Sequence, residues 1–334
     1  MQADARITAL FGRTDASSPF DRIDTLRLLA EECLAGHHCF LAIARSETAI
    51  AALPLTQDAA GLRSLANWYS FTARPLCSDP AQAPALFAAI ASSLSPAGAA
   101  TLAPLPEAEA TRLADALRQT GWIAAATPCD VNHILTVQGR SFAEYWATRP
   151  GQLRETVRRK GRKGVVDIRI ATAFAAADWD AYETIYAKSW KPGEGSPRFL
   201  RRFAQAESSA GTLRLGLASI DGHPVAAQFW TVEGGTAFIH KLAHDEAAKA
   251  HSPGSLLSAA LFRHVIDTDR VALVDFGTGD DPYKRDWMDG VRTRYRIEAY
   301  RPGSVRHWKH IARLTARRLL RPSAQTLVSH PVAG

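Results

Sequence analysis

Three segments of the chain hold residues whose types and spacing could do chemistry. The first is His251-Ser252-Pro253-Gly254-Ser255, ahead of the run SLLSAALFRHVID, which reads as a helix over about 255–267. A Gly-containing loop that opens a helix leaves backbone N–H groups unpaired, and with the helix dipole these bind phosphate oxygens. Gly254 allows close backbone approach, and Pro253 costs nothing at a helix start. The same residues equally suit a plain helix start, because short glycine motifs are weakly specific. The second segment, Asp275-Phe-Gly-Thr-Gly-Asp-Asp-Pro-Tyr-Lys284, gathers Asp280, Asp281, Tyr283 and Lys284 just after a strand. Charges grouped at a cleft are candidate sites. Asp280 and Asp281 either hold Lys284 or cap the helix that follows. Tyr283 is either a functional hydroxyl or a packing aromatic, and Lys284 either points into the mouth of the sheet or is solvated. The third is the pair His240 and His244, an even number of residues apart on one strand and so expected on one face. His240 is a candidate base, since imidazole titrates near neutrality; the alternative is a hydrogen-bonded core histidine. No third ligand accompanies the pair, so no metal is expected.

Charge is divided along the chain. Residues 1–140 carry 10 Lys and Arg against 13 Asp and Glu, net −3; residues 141–334 carry 30 against 20, net +10. A basic second half is suited to an anionic partner: nucleotide cofactor, tRNA or lipid headgroup. The excess is sharpest over 149–163, with Arg149, Arg154, Arg158, Arg159, Lys160, Arg162 and Lys163 against one Glu155. Seven charges in fifteen residues exceed what helix capping requires, though a solvated helix end would also carry cations. Phosphate contact there would make binding steeply salt-dependent. Arg306, Lys309, Arg313, Arg317, Arg318 and Arg321 extend the field into a C-terminal helix. Leu314, Leu319 and Leu320 make that helix partly amphipathic, a form suited to peripheral membrane contact. Helix-turn-helix and zinc spacings are missing, which argues against a DNA-binding protein.

The 334 residues suffice for two domains. The longest uncharged stretch, Pro80 to Pro106, carries five prolines and cannot be a spanning helix. The N-terminus lacks the basic and apolar regions of a signal peptide, and Cys33, Cys39, Cys77 and Cys129 form no CxxC. A cytoplasmic protein with free, part-buried thiols is expected.

Among the elements, 40–44 and 49–55 read as a strand hairpin. Residues 24–35 and 108–119 read as amphipathic helices. Trp122–Ala126 forms an apolar run, and Val131–Val137 a half-buried strand. Ser141 and Glu144 make a capping box. Its helix is expected to run on into the basic segment. Val165–Ile170 is a strand, Asp178 caps a helix, and Ser196-Pro197 starts another. Leu213–Ile220, Val225–Val232 and Ala237–Ala243 form an antiparallel meander on Asp221-Gly222 and Gly234-Gly235 turns. A helix, a strand at Val271–Phe276 parallel to the previous one, and a last strand near Arg294–Tyr300 follow. The helix over 303–320 comes next, and the final dozen residues read as frayed.

This order, a meander, a phosphate-type loop, a helix and a parallel strand, resembles the core of the GNAT (Gcn5-related) N-acyltransferases. Trp190-Lys-Pro-Gly-Glu-Gly195, Phe238-Ile-His-Lys-Leu-Ala-His244, Ser252-Pro-Gly-Ser-Leu-Leu257 and the 275–284 segment occur in sequence. Together they look like the CelD-like and FemAB-like branch of that superfamily. The resemblance covers about 141–300. It implies an α/β (α+β) protein of tandem GNAT-like domains, each a mixed central sheet flanked by helices: a degenerate domain at 1–140, a catalytic domain at 141–302, and a basic C-terminal helix and tail at 303–334. It further implies acyl transfer from acetyl-CoA or another acyl-CoA to an amine or amino-sugar acceptor, in cell-envelope or exopolysaccharide biosynthesis.

The chemistry of that reaction needs few parts: a neutral amine, a splayed-strand backbone N–H for the oxyanion, and a proton for the leaving group. Carried over, the pyrophosphate falls on His251, Ser252, Pro253, Gly254 and Ser255. Only one glycine remains where the family's loop is richer, and the nearby basic residue is Lys249. Tyr283 takes the role of proton donor. Lys284 neutralises charge near the reacting carbonyl or a substrate phosphate. Asp281, His240 or water takes the amine proton. Trp190, Lys191, Glu194 and Asp280 face the acceptor. Two alternatives stand beside this reading: a FemAB-like transferase using aminoacyl-tRNA, held by the 149–163 helix, and a non-catalytic GNAT-fold binding module on an anionic glycan or membrane assembly.

Overall fold

The pleat of one long sheet carries the molecule, and its strand order explains where a cleft can open. In the computed structural model, which describes residues 5–12, 18–303 and 305–319, the first half runs α1 (Ala5–Leu10), α2 (Ile23–Cys33), β1 (His38–Arg45), β2 (Ile50–Asp58), β3 (Gly61–Ser64), β4 (Leu76–Cys77), α3 (Ala83–Ser93), β5 (Ala99–Leu105), α4 (Glu107–Gln119) and β6 (Ile123–Thr136). The second runs α5 (Phe142–Ala147), α6 (Gly151–Gly161), β7 (Asp167–Ala171), α7 (Ala176–Ala187), α8 (Pro197–Ser209), β8 (Leu213–Ile220), β9 (His223–Glu233), β10 (Thr236–His244), α9 (Pro253–Arg263), β11 (Leu273–Thr278), β12 (Gly290–Tyr300) and α10 (Trp308–Leu319). All twelve strands join one sheet, in the order β1-β2-β3-β5-β12-β6-β11-β10-β9-β8-β7, with β4 on β2.

The tandem arrangement shows in the pairing rather than in the sequence, where no repeat is visible. In each half an antiparallel meander steps through a helix to a parallel neighbour: β3 to β5 by way of α3, and β10 to β11 by way of α9. The remaining pairs are antiparallel. The halves also interlock. β12, from the end of the second half, lies between β5 and β6 of the first, while β6 pairs with β11. Apart from Trp122 and Val137 at the ends, the 122–126 and 131–137 runs are parts of this one long strand β6.

Local chemistry accounts for several element ends. Ser141 and Glu144 form the expected reciprocal capping box, and the Ser196 side chain accepts from the Phe199 N–H. The Asp221-Gly222 and Gly234-Gly235 turns have positive φ at all four positions, as two-residue hairpins of matching twist require. Four expectations are corrected. Pro150 has no N–H to donate, so the helix from Ser141 ends at Ala147 and α6 starts afresh at Gly151. Ala175, not Asp178, occupies the cap of α7; Asp178 sits in its first turn and pairs with Arg169. The helix after the loop covers Pro253–Arg263 and loosens into a π turn over His264–Thr268. Of the four free cysteines, Cys129 is exposed rather than part-buried.

Two apolar layers sandwich the second half of the sheet. On one face Leu257, Leu261 and Phe262 of α9 pack on Trp230, Ile239 and Val274, each buried side chain contributing about 1.5–3 kcal/mol. Gly216 of β8 lets α9 lie this close: a Cβ there would stand 2.8 Å from Leu261 Cδ1. On the other face Tyr182, Phe199, Phe203 and Phe229 share a core with Leu26, Leu29, Leu65 and Tyr69 of the first half. In α10, Leu314 packs with Ala99 and Tyr300, so part of the apolar stripe read as suited to a membrane covers the sheet instead. Arg321 and the tail beyond Leu319 lie outside the described residues. Among the described residues no helix is long and apolar enough to cross a membrane.

Candidate active site

β10 and β11 pair over only three residues each, ending at Phe238 and Asp275. Beyond that point β10 continues to His244 and β11 to Thr278 without a mutual ladder. Two parallel strands that separate expose main-chain groups on their facing edges, and a groove of about 750 Å³ occupies the gap. Ser252, Pro253, Gly254 and Ser255 line one end, at the first turn of α9. Ser252 holds a left-handed conformation (φ 54°, ψ 44°) and makes no side-chain cap, so the N–H groups of the opening turn face the groove uncapped. A buried chain anchors this turn to the sheet: Trp230 Nε1 donates to Gln228 Oε1 (3.0 Å), and Gln228 Nε2 donates to Gly254 O (3.2 Å) and Ser258 Oγ (2.7 Å).

Trp190, His244, Phe276, Asp281 and Tyr283 line the other walls. Trp190 stacks obliquely on His244, with ring centroids 4.6 Å apart. Burial keeps His244 below the ordinary imidazole range. Tyr283 is 39 % exposed and meets the Phe276 ring edge-on at 5.7 Å. Burial, with Asp281 second, raises its pKa, so the hydroxyl stays protonated.

Lys284 does not line the groove; it is only 4 % exposed and lies against the end of β11. Its Nζ donates to Thr278 O (2.7 Å) and Gly279 O (3.1 Å) and stands 3.6 Å from Asp281 Oδ2 and 5.5 Å from the Phe276 ring centre. Of the two readings of this lysine, solvated or inward, the inward one holds. Burial lowers its pKa, with Asp281 pulling the other way. Asp280 turns away from Lys284, to Arg285 and His133, each at 2.8 Å.

The pairing of His240 with His244 is overturned. Ile239 faces Trp230 and Lys241 faces Phe229, so His240 is an extra residue in a β-bulge. One inserted residue converts an even spacing into opposite faces. His244 faces the groove, while His240 is half-buried among Phe20, Phe71, Phe203, Phe229 and Phe238 and shares a 2.8 Å hydrogen bond with Thr231 Oγ1. Loss of hydration, then the charges of Lys241 and Arg22, push its pKa down to about 3, leaving a neutral imidazole on the sheet face away from the groove. His251 ends the turn before α9 and does not line the groove either.

Lys191 and Glu194 border a neighbouring cavity of about 450 Å³, walled by Trp179, Tyr182 and Tyr186. The loop that carries them is pinned rather than free. Glu194 accepts from Tyr69 Oη (2.5 Å) and pairs with Lys241 Nζ (2.8 Å), while Tyr69 Oη accepts the Ser196 N–H (2.8 Å). Tyr69 comes from the first half, and neither it nor Lys241 carries a local signal that would have marked it in the sequence. The buried Tyr182 hydroxyl has no hydrogen-bond partner among the described residues.

Burial, then the like charges of Lys241 and Lys284, pushes the Lys191 pKa down to about 8. The folded protein thus releases this proton near pH 8, while the unfolded chain keeps it to about 10.5. Between those values the unfolded state binds more protons, so the contribution of Lys191 to stability rises with pH; below 8 its cost is constant. Lys191→Met is therefore expected to raise Tm at pH 7, with a wild-type deficit that narrows from pH 8 to 10. A Tm difference independent of pH would show that the lysine titrates normally.

Among the described residues no group of three or more His, Cys, Asp and Glu side chains could hold a metal ion. The groove joins a helix-terminus end that suits an anion to an aromatic end at the splayed strands.

Residues 148–285 match the acetyltransferase (GNAT) domain family. No curated protein matches the chain. Among solved structures, FemX superposes with a TM-score of 0.65 at 8 % identity, over 93 % of this chain and 99 % of its own. L-PGS from Bacillus licheniformis follows the same course at TM-score 0.54 and 12 % identity, over 91 % and 97 %. The tandem GNAT protein from the clavulanic acid biosynthesis pathway does so at TM-score 0.51 and 13 % identity, over 90 % and 95 %. At such identities the likeness is one of fold. The segment 148–285 is thus an acetyltransferase (GNAT) domain, and the chain as a whole shares its fold with FemX and the tandem GNAT protein.

Proposed function

We propose that the protein is an acyl-CoA-dependent N-acyltransferase whose donor occupies the groove between β10 and β11. The observation that carries this reading is the continuity of that groove from the uncapped first turn of α9 to the point where the strands part. The donor's pyrophosphate would lie on the N–H groups of Gly254 and Ser255. Its acyl carbonyl would lie where the β-bulge at His240 and the missing ladder free main-chain N–H groups of β10, the donors a tetrahedral oxyanion needs. Tyr283, held protonated, is placed to give the leaving thiolate its proton, and Asp281 or water to accept the amine's. Lys284 would act from beneath Phe276 as a fixed positive charge. The amine acceptor would enter beside Trp190, Lys191 and Glu194, consistent with work on an amino sugar of the cell envelope.

A second reading, transfer from aminoacyl-tRNA, is favoured by the basic helix α6. Leu153 of α6 lines the same groove, and Lys160 Nζ donates to Ala250 O beside it. Arg149 is withdrawn from that surface, buried against Asp289 and the Tyr145 ring. Arg159, Arg162 and Lys163 are exposed, and their side chains make no hydrogen bond or ion pair among the described residues.

Calorimetric titration with acetyl-CoA separates the readings. Micromolar, saturable binding is expected. It should be lost in Gly254→Trp, because the glycine's Cβ position lies 3.5 Å from the His244 ring and a large side chain there fills the groove. No binding of acetyl-CoA or longer acyl-CoAs, with salt-sensitive binding of charged tRNA, would transfer the case to the second reading. Neither kind of binding would point to a non-catalytic module.

A further inference from the structure

A third cavity, of about 160 Å³, lies where the two halves meet, beneath Ser18–Phe20 and Phe71–Arg74. Strands β10, β11 and β12 form its floor through Phe238, Asp275, Arg292 and Arg294. Phe238 and Asp275 alternate with Ala237 and Val274, which pack under α9. The cavity therefore opens on the sheet face away from α9.

Its charges do not balance. Arg74 is matched by Asp21, at 2.7 Å. Arg294, 1 % exposed, donates from Nε to Phe71 O (3.2 Å), and its Nη2 stands 3.5 Å from Asp275. Its buried Nη1 has no partner. Asp275 is shared: it also accepts from Asn132 Nδ2 (3.1 Å) and the Gly277 N–H (2.8 Å). Arg292, two residues along the same strand and so on the same face, has no hydrogen bond or ion pair among the described residues. Burial first, opposed by Asp275, and then the like charge of Arg292 lower the pKa of Arg294. A buried guanidinium with an unsatisfied donor is costly unless an acceptor reaches it.

We infer that this cavity binds one small oxyanion, a phosphate or a carboxylate group, on Arg294 Nη1 with Arg292 as the second cation. The volume suits it: a water takes about 30 Å³ of liquid, so the space holds an oxyanion with a water or two. Planar, forked guanidinium donors match either group in a bidentate manner. The site is independent of the acyl-donor groove, which lies on the other side of β10 and β11.

The test is titration of the full chain with inorganic phosphate and, separately, with acetate, at constant ionic strength and against chloride. Saturable binding at or below millimolar concentration is expected for at least one, weakened at least tenfold in Arg292→Ala, whose exposed side chain can be removed without disturbing the core. Arg294→Gln, if folded, should abolish it. Gly254→Trp should leave it unchanged, which separates this cavity from phosphate bound at α9. Phosphate alone binding assigns a phosphoryl ligand, and acetate alone a carboxylate. Neither binding, or binding that survives Arg292→Ala and falls in Gly254→Trp, overturns the inference.

Discussion

Replacing Arg22 by alanine is expected to cost about 3–5 kcal/mol, the range for removing one partner of a buried ion pair. The guanidinium, 2 % exposed, pairs at once with Glu207 and Glu233, with Nη1 3.0 Å from Glu233 Oε2. Its Nη2 also donates to Thr25 Oγ1 at 2.9 Å. Glu207 is fully buried and takes a further 2.6 Å hydrogen bond from Thr212. Without Arg22, two interior carboxylates would lose the cation they share. Arg22 precedes α2, Glu207 lies on α8 and Glu233 on β9, so this triad joins the two halves. Chemical denaturation should therefore show the whole molecule weakened. An unfolding transition split in two, with the second half unchanged, would mean that the triad does not couple them. Arg22→Met combined with Glu207→Gln and Glu233→Gln should recover much of the loss, because the penalty comes from interior carboxylates deprived of the Arg22 charge.

Lys284→Met is expected to lower transfer activity at least tenfold, though by less than the roughly 10²–10³-fold lost when a donor touching the reacting group is removed, because this charge acts on the groove from behind its wall. The change in stability should be smaller. Two carbonyls, Thr278 O and Gly279 O, lose their donor, a cost of about 1–3 kcal/mol. Against that, the variant no longer buries a charge whose partner, Asp281, stands 3.6 Å away. Rates and Tm measured together decide the matter. A slow, well-folded variant makes Lys284 a functional charge. An unchanged rate with lowered Tm makes it a lock on the end of β11. Catalytic failure of wild type and variant alike, with partner binding intact, favours a binding module.

The candidate site was legible where its signal is local. The 252–255 turn and the 281–283 segment each announce a helix start or a strand exit in consecutive residues, and the fold brings them to one groove with Trp190. It was illegible where distant chain segments decide. Nothing near Tyr69 says that its hydroxyl will hold Glu194, a contact 125 residues away in sequence. His240 shows the other limit. Residue counting gives two histidines on one face, but a single bulged residue reverses it, because side-chain direction along a strand has period two.

By itself, the sequence determined the periodic and capped elements: the Ser141 box, the Ser196 cap, the meander with its paired turns, and the parallel step from β10 across α9 to β11. Each of these is a choice among neighbouring backbone conformations, fixed by glycines, caps and alternating apolar residues within a few positions. Only the tertiary structure decided that β12 inserts between β5 and β6, that Arg22 is buried against two glutamates, and that Lys284 lies inward. Those outcomes depend on which surfaces meet, and burial and charge pairing across the whole chain set them rather than any local preference.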